Sequence, residues 1–148
     1  MTTIAYKDRV IAYDSRQTRG GAIVSDDCLK CEIVNGVSFF LSGCVCDEQA
    51  LIAAYFGTPS KDPVECSGFV VDNGKLMMVG QEDKTGIWKQ PLDPANADAI
   101  GSGSAYALAA MDMGASADEA VRAAMKRDIC TGGTVRTMVI REEGVPQV

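Results

Sequence analysis

The chain opens Met1-Thr2-Thr3-Ile4-Ala5-Tyr6, and Thr2 is the residue that could do chemistry with the least help from its neighbours. A start methionine followed by a small residue is commonly trimmed in cells, and trimming here would leave Thr2 with a free α-amine beside its hydroxyl. One residue would then hold both a nucleophile and a base. The sequence contains no histidine, which excludes the Ser-His-Asp and Cys-His schemes, where an imidazole takes the nucleophile's proton. A terminal threonine can use its own amine, whose unperturbed pKa of about 7.7 to 8.0 lies near neutrality and falls further beside positive charge.

Composition narrows the partners. The 148 residues suffice for one domain with a real core and are few for two, so a single domain spanning 1–148 is expected. A net charge of −6 without Lys/Arg clusters argues against nucleic acid, since binding to phosphate rests on basic neutralisation. No apolar run approaches the roughly 18 residues of a membrane span. No signal peptide or basic leader precedes the first apolar run, so a cytoplasmic location is expected. In that setting Cys28, Cys31, Cys44, Cys46, Cys66 and Cys130 are expected as free thiols. Cys28-x-x-Cys31 and Cys44-x-Cys46 could together face a zinc ion, but the second spacing does not fit a zinc knuckle, and neither metal nor cofactor is expected.

The elements that must position these groups can be read in turn. Strands are expected at residues 3–7 and 9–14 around the Lys7-Asp8-Arg9 turn, then at 22–25, 29–34 and 37–41, with a polar loop over 14–21. Asn35-Gly36 and Asp72-Asn73-Gly74 are hairpin signals. A helix over 47–56 has Asp47 as N-cap and Gly57 as its stop, and a proline-containing loop covers 58–65. Strands follow at 68–71, 75–79 and around 86–89. A polar connection over 91–98 leads through Ile100-Gly101-Ser102-Gly103-Ser104 into a small-residue helix over 105–113. Ser116-x-x-Glu119 is a capping box opening a second helix, with Ala120, Val121, Ala124 and Met125 on its apolar face. The last strand is expected at 134–140, before a short charged tail. Gly101-x-Gly103 lacks the small third residue of a dinucleotide fingerprint, Tyr106 standing there, and follows a polar loop where a buried strand belongs. Sheet, helix, sheet, helix pair and strand in that order fit two sheets covered by helices.

Five stretches carry a further signal by their order. They are Met1-Thr2-Thr3-Ile4, Val10-Ile11-Ala12-Tyr13-Asp14-Ser15-Arg16-Gln17-Thr18-Arg19-Gly20, Leu41-Ser42-Gly43-Cys44-Val45-Cys46-Asp47, Ala99-Ile100-Gly101-Ser102-Gly103-Ser104-Ala105-Tyr106-Ala107, and Arg127-Asp128-Ile129-Cys130-Thr131-Gly132. Together they resemble the N-terminal-nucleophile (Ntn) hydrolases of the proteasome β-subunit family, including HslV-like peptidases. The resemblance implies an α+β fold, the four-layer αββα Ntn-hydrolase sandwich. The family has two long helices between its oxyanion glycine and the next hairpin, where this chain has only residues 47–65, so a shortened helical layer after residue 47 is expected.

The resemblance also implies roles. Thr2 matches the nucleophile, Asp14 the acid paired with the catalytic lysine, and Arg16 the basic residue two positions on. Lys30 matches that lysine, whose ammonium would favour the anionic nucleophile. Gly43 matches the glycine whose N–H holds the oxyanion. Ser102 matches the serine beside the nucleophile's amine, Asp128 its acidic partner, and Thr131 stands where the family has serine. The implied activity is that of a threonine peptidase subunit in a homo-oligomeric ring, with Thr2 exposed by removal of Met1 and peptide or unfolded protein as substrate. The chain has no phosphate-binding lysine loop, so an ATP-dependent unfoldase would be a separate partner. The alternatives are a catalytically silent shell or scaffold subunit, and an Ntn amidohydrolase acting on a small amide.

Overall fold

The computed structural model describes residues 2–141, which group into two units, residues 2–30 with 93–141 and residues 31–92. In chain order the first unit begins with β1 (Thr3–Lys7), β2 (Val10–Tyr13), β3 (Gln17–Arg19) and β4 (Ala22–Ser25). The second unit holds β5 (Glu32–Val34), β6 (Val37–Gly43), a 3-10 turn (Val45–Asp47), α1 (Glu48–Tyr55), β7 (Cys66–Asp72), β8 (Lys75–Glu82) and β9 (Gly86–Pro91). The chain then re-enters the first unit with β10 (Asp98–Gly101), α2 (Ser104–Asp112), α3 (Ala117–Met125) and β11 (Arg136–Val139).

The main sheet of the first unit has the antiparallel order β10-β1-β2-β11, with Thr3 opposite Gly101 and Ile4 opposite Tyr13. Helices α2 and α3 cover one face. Ala5, Ala12 and Ala99 of the sheet pack against Ala107, Met111, Ala117, Ala120 and Val121, and the small side chains let the helices approach the strands closely. Lys7 reaches from β1 to the carbonyls of Met111 at 3.2 Å and Ala115 at 2.9 Å, placing a cation at the C-terminal end of α2. The capping box forms as read, with the Ser116 hydroxyl accepting from the Glu119 N–H and the Glu119 carboxylate accepting from the Ser116 N–H.

The second unit is an antiparallel sheet ordered β5-β6-β7-β8-β9. Both hairpin signals are used, Asn35-Gly36 at φ 52° and 77° and Asn73-Gly74 at φ 50° and 73°, the left-handed pairs that match strand twist. Leu51, Ile52 and Tyr55 of α1 pack on Val37, Phe39, Leu41, Val70 and Val79. Phe39 and Tyr55 meet edge to face at 5.3 Å, Tyr55 donates to Asp72 at 2.6 Å, and Lys89 lies 3.9 Å from the Tyr55 ring centroid. Each unit is thus a sheet with a helical layer. The layer after residue 47 is the single helix α1.

Several local expectations are corrected. Residues 29–31 are not strand; only Glu32–Val34 pairs, because Cys28 N–H bonds to the Ser15 carbonyl at 2.9 Å and Lys30 to Asp14 at 2.9 Å, drawing the backbone out of the ladder. The polar stretch read as loop contains β3, paired with β4 across Gly20-Gly21 at φ 57° and 82°. The polar connection before α2 ends in a strand, β10, too short to show periodicity; it runs antiparallel to β1, so no parallel dinucleotide-binding unit forms. Asp47 sits at the N-cap of α1 but its side chain accepts from the Glu65 N–H at 2.8 Å instead of capping. Among the described residues no helix is long and apolar enough to cross a membrane.

The capping box carries an isolated test. Ser116→Ala removes its hydroxyl acceptor and should lower stability to urea by about 1 kcal/mol, with Ser116→Asp close to wild type. An unchanged midpoint for Ser116→Ala would mean that the box contributes nothing to α3.

Candidate active site

A carboxylate with no exposed surface needs hydrogen-bond donors to remain in the interior. Asp14, just beyond β2, is fully buried. Its Oδ1 accepts from Thr2 Oγ1 at 2.6 Å, from the Thr3 N–H at 3.1 Å and from Lys30 Nζ at 2.9 Å. Its Oδ2 accepts from the N–H groups of Arg16 at 3.2 Å and Gly132 at 3.0 Å. Thr2 Oγ1 and Lys30 Nζ share one carboxylate oxygen and are therefore neighbours. The Lys30 side chain is only 11% exposed, so this ion pair sits largely out of water. A hydroxyl held this way is kept beside an ammonium, where negative charge developing on it would be stabilised.

A second carboxylate gathers the remaining hydroxyls. Asp128 Oδ2 accepts from Ser102 Oγ at 2.6 Å and from Thr131 Oγ1 at 2.6 Å, and Oδ1 accepts from the Cys130 N–H at 3.1 Å. Burial works to raise the Asp128 carboxyl, but donation from Ser102, Thr131 and Cys130 outweighs it and holds the group below the usual aspartate value. Ser102 Oγ also lies 3.3 Å from the Thr2 carbonyl oxygen, and Thr3 Oγ1 lies 2.7 Å from Thr131 Oγ1.

Two arginines hold the irregular segment that carries Lys30. Arg16 Nε bonds to Asp26 at 2.9 Å and its Nη1 to the Ile129 carbonyl at 3.0 Å. Arg136 bonds to Asp27 at 2.5 Å, to the Cys28 carbonyl at 3.3 Å and to the buried Ser15 hydroxyl at 2.6 Å. The hydrogen bond from Arg16 holds the Asp26 carboxyl below its ordinary value. Three glycines leave room for this packing. A Cβ on Gly101, at φ 96°, would meet the Thr2 carbonyl; one on Gly103 would meet the Thr3 and Thr131 hydroxyls; one on Gly132 would meet the Arg16 guanidinium.

The structure therefore brings Thr2, Asp14, Lys30 and Arg16 around one carboxylate, and Ser102, Asp128 and Thr131 around the other. Gly43 belongs to the second unit, where it closes β6 at φ 121° with no space for a Cβ beside the Glu65 carbonyl. Met1 and the tail at 142–148 lie outside the described residues. Sequence reasoning missed Thr3, Ser15, Asp26, Asp27 and Arg136. Thr3 was legible only as an apolar-strand neighbour of Thr2, and the Asp26-Asp27 doublet looks like any polar turn. Among the described residues no three His, Cys, Asp or Glu side chains converge as a metal ion would need.

No protein-family model and no curated protein sequence matches the chain. Solved structures do. BPH of Thiobacillus denitrificans, solved alone and in complex with epoxomicin, is 19% identical at a TM-score of 0.66, over 95% of this chain and 98% of that one. HslV of Trypanosoma brucei is 17% identical at a TM-score of 0.66, over 93% of this chain and 97% of that one. The fold of this chain is that of the HslV-like proteasome β-subunits.

Two outcomes follow from the carboxylates. Asp14→Asn removes the negative charge of this largely buried ion pair and should cost about 3–5 kcal/mol in urea unfolding, with Asp14→Asn/Lys30→Met less destabilised than the single variant. A double variant no better than Asp14→Asn would show that the buried pair is not the cause. Because the Asp128 value is depressed, its contribution is present above the unfolded value of about 3.9 and is lost as pH falls toward its folded value. Asp128→Asn should therefore flatten the acid-side fall in the urea midpoint; parallel curves for the two proteins would contradict this.

Proposed function

We propose that this chain is a threonine-type peptidase subunit whose nucleophile is Thr2, exposed by removal of Met1. The observation that carries the reading is the shared Asp14 Oδ1, on which the Thr2 hydroxyl and the Lys30 ammonium meet at 2.6 Å and 2.9 Å. A shell or scaffold subunit has no need of a buried hydroxyl held against a buried ion pair. In the reaction, Thr2 Oγ bonds to the peptide carbonyl carbon while its proton passes to the Thr2 amine. The C–N bond then breaks and the amine returns that proton to the leaving nitrogen. Water resolves the Thr2 ester, giving one proton to the amine and then to Oγ, and the carboxylic acid departs.

Each side chain has a part in this sequence. Lys30 stabilises negative charge on Oγ, and Asp14 fixes both groups. Arg16 anchors the segment bearing Lys30 through Asp26. Ser102, Asp128 and Thr131 orient the amine side. The oxyanion donor rests on the family resemblance, which assigns it to the Gly43 N–H. That resemblance also supports a single domain acting on peptide or unfolded protein in a homo-oligomeric cytoplasmic ring, with a separate ATP-dependent unfoldase for folded substrates.

A peptide epoxyketone tests the reading, since its adduct requires an amine and a hydroxyl on the same terminal residue. Intact mass should show the chain without Met1 and one adduct, absent in Thr2→Ala. Lys30→Ala should retain processing yet slow peptide cleavage by about a hundredfold or more. A chain that keeps Met1 and takes no adduct refutes the peptidase reading and leaves the scaffold. A processed chain that takes no adduct, yet hydrolyses small amides, identifies an amidohydrolase instead.

A further inference from the structure

The second carboxylate cluster has a proton inventory that can be counted. Thr131 has one hydroxyl proton, and its 2.6 Å bond to Asp128 uses it, because a carboxylate only accepts. The 2.7 Å bond between Thr131 and Thr3 must then run the other way, with Thr3 Oγ1 donating. Thr3 and Thr131 are both fully buried, so water does not offer a substitute partner. Ser102 likewise gives its proton to Asp128, at 2.6 Å against 3.3 Å to the Thr2 carbonyl, which leaves its lone pairs available as acceptors. The Thr3 N–H, meanwhile, donates to Asp14 at 3.1 Å. Thr3 is thus bonded to both clusters, by its backbone to the one that holds Lys30 and by its hydroxyl to the one that holds Ser102.

We infer that Thr3 is a positioning residue, whose hydroxyl donates to Thr131 and so fixes the Thr131 proton on Asp128, the carboxylate that also takes the Ser102 proton beside Thr2. With Thr3 donating, Thr131 has no choice of acceptor and its proton stays on Asp128. Without that donor, Thr131 keeps a buried oxygen unpaired, and its grip on Asp128 loosens. The charged and titratable groups around the relay are Asp128 itself, the amine that trimming would create on Thr2, Cys130 beside Thr131, and Asp14 with Lys30 and Arg16 beyond Thr3. Gly103 belongs to the same device, since a Cβ there would fall on the Thr3 and Thr131 hydroxyls. The catalytic consequence rests on the peptidase reading; the direction of the hydrogen bonds does not.

The test pairs Thr3→Val, which keeps the shape and removes the donor, with Thr3→Ser, which restores it. Carboxyl-carbon NMR should find Asp128 titrating below the ordinary aspartate range in the wild-type chain, higher in Thr3→Val, and back in Thr3→Ser. Peptide cleavage by Thr3→Val should fall by about tenfold, as for one lost hydrogen bond, with a displaced acid limb of the pH profile that Thr3→Ser restores. An Asp128 titration identical in folded Thr3→Val overturns the inference. Should Thr3→Val not fold, the wild-type protein still decides the matter: the Thr3 and Thr131 hydroxyl protons should be protected from solvent exchange, and fast exchange of either overturns the relay. A wild-type chain that takes no epoxyketone on Thr2 overturns the catalytic role together with the peptidase reading. An adduct on Thr2 with unaltered kinetics in Thr3→Val overturns this inference alone.

Discussion

The buried charge of Asp14 is the constraint on which the first unit depends. Carrying a carboxylate into the interior costs several kcal/mol unless donors replace its water, and here the donors come from separated parts of the chain. Thr2 and Thr3 come from the start of β1, Arg16 from the segment after β2, Lys30 from the chain beyond β4, and Gly132 from the turn before β11. Each of these segments supplies at least one of the donors that replace water around the carboxylate. Residues 29–31 lie outside any strand, and it is from this irregular stretch that the Lys30 side chain reaches Asp14. The arginine bonds to Asp26 and Asp27 then hold the segment in the shape that the ion pair requires.

The second unit is governed by apolar packing instead. One helix of eight residues covers a face of a five-stranded sheet, and it does so with Leu51, Ile52 and Tyr55, aided by Val64 from the loop that follows. The Tyr55 ring carries much of this arrangement. It packs edge to face on Phe39 and Phe56, receives Lys89 on its face, and donates its hydroxyl to Asp72. Burial, followed by the hydrogen bond to Asp72, pushes its phenol well above the ordinary range, so it remains a donor under any physiological condition. The Cys66 thiol in the same core is pushed up to about 12, chiefly by burial with a contribution from Glu48, which marks it as packing rather than as a nucleophile.

What the sequence made legible follows from the range of the forces involved. Hairpins at Asn35-Gly36 and Asn73-Gly74, the capping box at Ser116 and the helix stop at Gly57 are set by a few adjacent residues, and each was readable from them. The strands at 17–19 and 98–101 were not, because three or four residues carry too little periodicity to outweigh their polar and glycine neighbours. In the candidate site, Asp14, Lys30, Ser102 and Asp128 were reached through family spacing, since a lone buried aspartate leaves no local pattern. The second partners of those groups are set by tertiary contact. Nothing in Asp26-Asp27 or Arg136 distinguishes them in sequence from surface charge, and Thr3 looks like a strand residue because it is one.

The strand also decides which of the two threonines meets the Asp14–Lys30 pair. Thr2 lies just before β1 and Thr3 opens it, and their hydroxyls meet different partners, Asp14 and Thr131. Pairing of Thr3 with Gly101 fixes the register, and the absence of a Cβ on Gly101 lets the Thr2 carbonyl lie close against it. In this register the Thr2 hydroxyl meets the Asp14–Lys30 pair, while the Thr3 hydroxyl is committed to Thr131. A slip of one residue would exchange the two and leave the ammonium facing the wrong side chain. Removal of Met1 and Thr2 together would therefore not place Thr3 in an equivalent setting. Thr3 would gain an amine, but its hydroxyl proton would remain committed to Thr131, and Asp14 would lose the Thr2 hydroxyl that it holds. The tight fit at Gly101 and Gly103 thus does more than pack the sheet: it assigns different work to two chemically identical neighbours.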